Sequence, residues 1–190
     1  MASQNSAPGA LAPLPPGVTP ELAHNLRTAM SIELATLPTY LYTYWSIKSR
    51  KDGGSVAGEQ AAKLILSVVT EEMLHFALVG NVMNALGIPT AINHPKYIPT
   101  FPGPLPGHSS TVNPFTVSLQ PLNALAIQIF LDIEMPESDE PATDPPSTTN
   151  WSTIGEFYAA LKLQLTPDLD YSHGRQLNTD NNPGPGVLVQ

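Results

Sequence analysis

The feature that most constrains this chain is a glutamate and a histidine spaced three residues apart inside a long apolar segment. Glu72 and His75 lie in the run 70–76. On a helix this spacing puts both side chains on one face, about one turn apart. Apolar residues share that face by the same periodicity, and they are Val68, Val79 and Met83. Burying a carboxylate and an imidazole is costly unless a partner satisfies them. Since a metal ion satisfies both, the spacing predicts a helix that carries metal ligands.

An upstream segment places one more acid within an apolar stripe. Steps of three and four residues put the following on one helical face: Leu26, Met30, Glu33, Leu37, Tyr40 and Tyr44. Glu33 is the only charge in this stripe, and alone it is explained equally well by a solvated position at the stripe's edge. Two helices that each carry an acid in mid-stripe favour a metal site. Tyr40 and Tyr44 are interpreted as core residues with satisfied hydroxyls, or as catalytic candidates that hydrogen-bond a ligand or a substrate.

Composition limits the class of protein. The 190 residues predict one domain, the 42% hydrophobic fraction is enough for a core, and 21 prolines indicate long irregular connections. The net charge of −8 argues against a nucleic-acid partner. The absence of cysteine excludes disulfides, thiolate zinc sites, iron–sulfur clusters and thiol catalysis. No apolar run approaches the roughly 20 residues of a membrane span, and no signal peptide is recognised, so we expect no membrane partner and a cytoplasmic location.

The pattern of apolar residues and helix-capping residues predicts four helices. They are expected over residues 20–48, 55–86, 120–133 and 152–165, with Thr19 and Ser152 as N-caps. The proline-rich segments 88–118 and 137–150 are predicted loops. We divide the chain into a disordered Pro/Ala-rich arm (1–18), a helical domain (19–166) and an irregular tail or the start of a truncated helix (167–190). The basic cluster at residues 48–51 is interpreted as cations favoured at the end of the first helix.

Four motifs together resemble a known family: segments 31–46, 71–76, 81–87 and 153–158. Over about residues 20–165 the chain resembles the ferritin-like domain of the iminophenyl-pyruvate dimer synthases. The resemblance implies a four-helix ferritin-like core with a non-haem dimetal site. It also implies oxidative chemistry on substrates derived from amino acids, such as the coupling of two imines, in secondary metabolism.

The same resemblance implies a set of metal ligands. Glu33 matches the carboxylate of the first helix, Glu72 and His75 match the pair of the second, and Glu156 matches the carboxylate of the third core helix. A complete site has a second Glu-x-x-His on a fourth core helix. No glutamate follows Glu156, and the only later histidine is His173. We therefore expect an all-α ferritin-like bundle with long proline-rich loops, a fourth core helix that is missing or incomplete, and ligands enough for one metal.

The expected function is that of a non-haem, di-iron type oxidative enzyme acting on a small molecule. Carboxylates with imidazole suit iron or manganese, and zinc is an alternative. A homo-oligomer that completes the bundle stays open. Two other functions stay open as well, a metal-storage bundle without specific turnover and a metal-free structural module with a buried hydrogen-bonded network. Glu71 is interpreted as a neighbour of the site or a surface acid, and Glu134 as a helix-end acid, which is usually solvated.

Overall fold

Four α-helices form the fold in the part of the chain that the structure describes. This computed structural model describes residues 13–108, 116–136 and 146–173. The helices are α1 (Pro20–Trp45), α2 (Val56–Ala85), α3 (Ala124–Ile133) and α4 (Ile154–Gln164). Short 3-10 helices cover Arg50–Asp52 and Pro95–Tyr97, and an isolated antiparallel bridge joins Gly103 to Val117. The all-α fold class is confirmed.

Side-chain caps set where the helices begin. The Thr19 hydroxyl accepts a hydrogen bond from the Leu22 N–H (3.1 Å), and Pro20 follows at the first helical position, as predicted. Ser55 caps α2 in the same way. The third helix begins at Ala124, four residues later than predicted, because Asn123 accepts the Ala126 N–H at 2.8 Å.

Two helix ends differ from the prediction. The cap of α4 is Thr153 and not Ser152, since the Thr153 hydroxyl accepts the Glu156 N–H at 3.2 Å. The first helix ends at Trp45 and not near residue 48. Ser46 ends it, because its hydroxyl donates to the Thr43 carbonyl (2.6 Å) and accepts the Leu122 N–H (2.8 Å). That hydroxyl ties the end of α1 to the segment before α3.

Among the described residues, the core consists of two hydrophobic clusters toward opposite ends of α1. One cluster joins the first half of α1 to the second half of α2, through residues such as Leu26, Met83 and Phe157. The other joins the second half of α1 to the first half of α2 and to α3, through residues such as Ala35, Val69 and Ile133. The two helices are therefore antiparallel, and the clusters meet near the middle of both.

Several sequence predictions lie outside the described residues. They include residues 1–12 of the arm, 174–190 of the tail, and the loop segments 109–115 and 137–145. The domain boundaries and the missing core helix therefore stay predictions. Among the described helices, none combines the length and the apolar character that a membrane crossing requires.

We expect the Phe157→Ala variant to lose about 3–5 kcal/mol of unfolding free energy, because a large side chain with no exposed surface leaves a cavity. Urea denaturation followed by circular dichroism measures this loss. Leu163→Ala is the matched control on the same helix, since Leu163 is 67% exposed and its truncation should change stability by less than about 0.5 kcal/mol. Equal losses in both variants would contradict the described orientation of α4.

Candidate metal centre

Three of the four predicted metal ligands lie together between α1 and α2. Each of Glu33, Glu72 and His75 offers one donor atom, and these atoms lie within 4.8 Å of one another. The Nδ1 atom of His75 is 3.6 Å from Glu72 Oε1 and 3.8 Å from Glu33 Oε2. Both distances exceed those of ordinary hydrogen bonds. Both carboxylates are buried, whereas the His75 side chain is half exposed.

The antiparallel pairing of the two long helices explains this arrangement. Glu33 lies on α1 between Ile32, which belongs to the first core cluster, and Ala35, which belongs to the second. On α2, Glu72 and His75 fall between Val69 of the second cluster and Val79 of the first. The acids and the histidine thus occupy the level at which the two clusters meet, so that apolar packing on both sides aligns them.

Two hydroxyl groups hold the buried carboxylates. The Tyr158 hydroxyl on α4 donates to Glu33 Oε1, and the Thr36 hydroxyl on α1 donates to Glu72 Oε2. These donors satisfy one oxygen of each carboxylate and leave the other oxygen, Oε2 of Glu33 and Oε1 of Glu72, toward His75. The arrangement resembles the outer support that orients carboxylate ligands at metal sites.

Burial makes the two carboxylates hard to ionise. It raises the pKa of Glu33 to about 8; the hydrogen bond from Tyr158 acts in the opposite direction, and the nearby negative charge of Glu72 adds to the rise. Burial also raises the pKa of Glu72, opposed by the Thr36 hydrogen bond and reinforced by Glu134. Within the described residues, neither carboxylate pairs with a lysine or an arginine. The site therefore favours a cation.

A third carboxylate, that of Glu134, lies beside the ligand cluster. Glu134 follows the last residue of α3, and its Oε1 accepts a hydrogen bond from the Tyr40 hydroxyl at 2.7 Å. Tyr40 is buried, and burial beside Glu134 raises its pKa well above the ordinary value. Glu134 is exposed, as predicted for a helix-end acid, but the Tyr40 hydroxyl holds one of its carboxylate oxygens. The role that the structure supports for Tyr40 is therefore to hold the Glu134 carboxylate in place.

The structure does not bring Glu156 to the ligand cluster, and its carboxylate makes local hydrogen bonds instead. Its Oε2 accepts the backbone N–H groups of Ser152 (2.6 Å) and Thr153 (3.4 Å), which completes a capping box at the start of α4. The motif Thr-x-x-Glu is typical of a helix start. The hydrogen bonds of this capping box occupy the Glu156 carboxylate. The side chain of α4 that hydrogen-bonds the cluster is that of Tyr158, two positions later.

The other candidates lie away from the cluster. Tyr44 is eleven residues after Glu33 on α1, or about 16 Å along the helix axis, and its ring packs edge-on against Trp45 with centroids 5.1 Å apart. Its place in the Glu33 stripe therefore does not bring it to the site. Glu71 is exposed. His173 lies in the segment after α4, where its Nε2 atom is 3.2 Å from Asp170 Oδ2.

A cavity of about 400 Å³ opens over the ligand cluster. Its polar lining consists of the three carboxylates, His75 and Tyr158, and its apolar lining comes from α2, α3 and the start of α4: Leu78, Val79, Ile133, Met135 and Ile154. A concave site of this size with a few convergent polar groups is typical of small-molecule binding. The two carboxylates and the imidazole form a donor set that suits iron, manganese or zinc.

Sequence reasoning missed Tyr158 and Thr36 as site residues. Thr36 lies one turn after Glu33, so its position on the same face was available from the spacing. Tyr158 lies 125 residues from Glu33 in the chain. No local pattern predicts such a contact, because it depends on how α4 packs against α1.

Comparison with known proteins agrees with this architecture. The family model described as ferritin-like matches residues 26–185 of the chain. The dichlorochromopyrrolate synthase of Lentzea aerocolonigenes is 28% identical over 186 residues, which covers 78% of this chain and 17% of that protein. The chain thus spans about a sixth of the length of this relative. No solved structure shows a significant match.

We expect the metal-free protein to become less stable as pH rises from about 4.5 to about 8. The pKa of Glu33 is higher in the folded protein than the ordinary glutamate value of 4.5, so the folded state retains a proton that the unfolded state releases in this interval. The unfolding free energy should fall by at most about 1.4 kcal/mol per pH unit for this group. Urea denaturation with a chelator present, repeated across the interval, measures the slope.

Two variants identify the group responsible for this slope. Glu33→Gln should make it shallower, because the amide does not titrate and Glu72 alone of the pair then contributes, whereas Glu21→Gln on the exposed start of α1 should leave it unchanged. The assignment to Glu33 is wrong if Glu33→Gln unfolds with the same pH dependence as the unaltered protein.

Proposed function

Because the chain belongs to the ferritin-like family, we propose that it is a non-haem, metal-dependent oxidative enzyme that acts on a small molecule derived from an amino acid. The observation that carries the proposal is the group formed by His75 and the two buried carboxylates of Glu33 and Glu72, which no lysine or arginine of the described residues pairs with. Keeping both buried acids ionised, as metal ligation requires, is expensive unless a cation binds them.

The donor set fits one divalent ion. Glu33, Glu72 and His75 would hold it, and Glu134 faces the same cavity as a further carboxylate. Iron is the metal we favour, with manganese as the alternative, because mixed carboxylate and imidazole donors suit both. When bound, iron would supply the redox chemistry that couples oxidation of the substrate to reduction of dioxygen.

The chain's own residues prepare the cavity for this chemistry. The hydroxyls of Tyr158 and Thr36 fix the orientation of the two carboxylates before any ion binds. The Tyr40 hydroxyl does the same for Glu134. The apolar walls from α2, α3 and α4 exclude water and accept the apolar part of a substrate. Access is from the side of His75, whose side chain is half exposed.

The substrate class is proposed from two likenesses. The chain resembles the ferritin-like domain of the iminophenyl-pyruvate dimer synthases in its helix motifs, and its relative is named as a synthase of dichlorochromopyrrolate. Both support a biosynthetic reaction of secondary metabolism. A mainly apolar cavity of about 400 Å³ supports an aromatic or aliphatic amino-acid derivative over a sugar or a nucleotide.

Metal analysis is the first test of this proposal. We expect protein purified without added metal to contain iron or manganese, at about one ion per chain for a three-donor site. The Glu72→Ala/His75→Ala variant should lose it. Glu71→Ala and Glu156→Gln are matched controls and should keep it, because neither carboxylate belongs to the cluster. A metal-free protein, or equal metal in all four proteins, would overturn the metal assignment.

Oxygen uptake then distinguishes an enzyme from a storage protein. With iron bound, an enzyme should consume dioxygen faster when an aromatic 2-imino or amino acid is supplied. A storage bundle should consume it at a rate that depends on iron alone. A rate independent of every organic substrate tried would favour storage over the proposed turnover.

We expect Tyr158→Phe to weaken metal binding by about 10-fold, because the lost hydroxyl leaves Glu33 without the donor that orients it. Competition with a fluorescent chelator measures the dissociation constant. Tyr44→Phe is the matched control, since the same hydroxyl is removed from the same bundle away from the cluster. Equal metal affinities in the two variants would show that the Tyr158 hydroxyl does not support metal binding.

A further inference from the structure

A second cavity, of about 530 Å³, lies where the end of α1 meets the first turns of α2. Four basic side chains line it: Lys48, Arg50, Lys51 and Lys63. They are half of the eight lysines and arginines in a chain of net charge −8. Glu59 is the one acid among the described lining residues. We therefore asked which interaction stabilises this concentration of positive charge in an acidic protein.

Stabilisation of a helix end does not explain these cations. The last turn of α1 contains no basic residue, because the helix ends at Trp45 and the cations follow in the connection to α2. The interpretation of the cluster as the cationic end of the first helix is therefore corrected. A 3-10 helix of three residues, Arg50–Asp52, holds two of them and has too few peptide units for an appreciable dipole.

Internal ion pairs do not explain them either. Within the described residues, Lys48, Arg50 and Lys51 have no ion pair, and Lys63 pairs with Glu59 at 3.0 Å. That pair joins neighbouring turns of α2 at the surface, and exposed ion pairs of this kind contribute little to the stability of the fold. The cavity is thus lined by three cations that are free to meet an anion.

An aromatic wall accompanies the charge. Trp45 is 76% exposed, whereas the chain's other tryptophan, Trp151, is 2% exposed. The Trp45 ring stands edge-on to Tyr44, with centroids 5.1 Å apart, and Ile47 and Leu66 extend the apolar side of the cavity. Exposure of so large an apolar ring beside cations is favourable when a planar ligand covers it.

We propose that this cavity binds a small organic anion that carries a planar ring. The ring lies against Trp45 and Tyr44, and the anionic group, a carboxylate or a phosphate, pairs with Arg50 and the neighbouring lysines. The volume suits a small molecule. The chain's net negative charge disfavours a nucleic acid or an anionic membrane surface, both of which need a broad basic face. This cavity shares no lining residue with the cavity over the metal centre.

Calorimetric titration of the full chain with two sets of probes tests the proposal. The carboxylate set is 2-naphthoate, 2-naphthalenemethanol and acetate, and the phosphate set is AMP, adenosine and inorganic phosphate. We expect at least one ring-bearing anion to bind at least about tenfold tighter than both its neutral ring and its bare anion. The set in which this happens identifies the anionic group. The proposal would be overturned if the neutral ring compound, or the bare anion, bound as tightly as the ring-bearing anion in both sets.

Variants place the binding at this cavity. Arg50→Ala/Lys51→Ala should weaken binding at least about tenfold, and Trp45→Ala should weaken it for the ring-bearing anion more than for the bare anion. Glu59→Gln should strengthen binding by about twofold, because it removes the acid that lines the cavity and frees Lys63. All of these side chains are at least partly exposed, so the fold should survive, as a thermal melt can verify.

Lys96→Ala/Lys162→Ala is the matched control. It removes the same charge from exposed positions elsewhere and should leave the affinity within about twofold. An equal loss in the control would mean that general charge, and not this cavity, binds the anion. Tighter binding of a single-stranded oligonucleotide or of phosphatidylserine vesicles than of any small probe would also overturn the proposal.

Discussion

The burial of two carboxylates between antiparallel helices is the constraint on which the rest of this structure depends. Glu33 and Glu72 lie where the two hydrophobic clusters meet, and each would be expensive there without a partner. The fold satisfies one oxygen of each with a hydroxyl, from Tyr158 and from Thr36. The remaining oxygens and His75 form the group that suits a cation. The stability of the bundle and the chemistry of the site are therefore linked through the same residues.

The first helix organises both cavities of interest. Its middle supplies Glu33 to the candidate metal centre, and its end supplies Tyr44 and Trp45 to the basic cavity. The early end of the helix at Trp45 matters for the second cavity, because it places Lys48, Arg50 and Lys51 after α1, in the connection to α2. The hydroxyl of Ser46, which ends α1 and accepts an N–H from the segment before α3, thus influences a surface far from the acids.

Spacing along the sequence was enough to predict the three donor residues that the structure brings together from the two long helices. The Glu72–His75 spacing and the stripe around Glu33 depend only on the helical repeat, which the apolar residues report reliably over many turns. The short helices were harder to interpret. Glu156 matched a ligand by resemblance, but its place three residues after Thr153 suits a capping box, and the structure uses it so. Both interpretations began from the same residue, and the local hydrogen bonds decided between them.

By itself, the sequence determined the all-α class, the two long helices and the three donors that these helices carry, because each depends on local periodicity. Only the tertiary structure decided which hydroxyls hold the acids, that Glu134 joins the cavity through Tyr40, and that the basic cluster at 48–51 lines a second cavity together with Lys63. Those contacts join residues tens to more than a hundred positions apart in the chain, for example Tyr40 with Glu134 and Glu33 with Tyr158. They depend on how the helices pack, which no short-range pattern records.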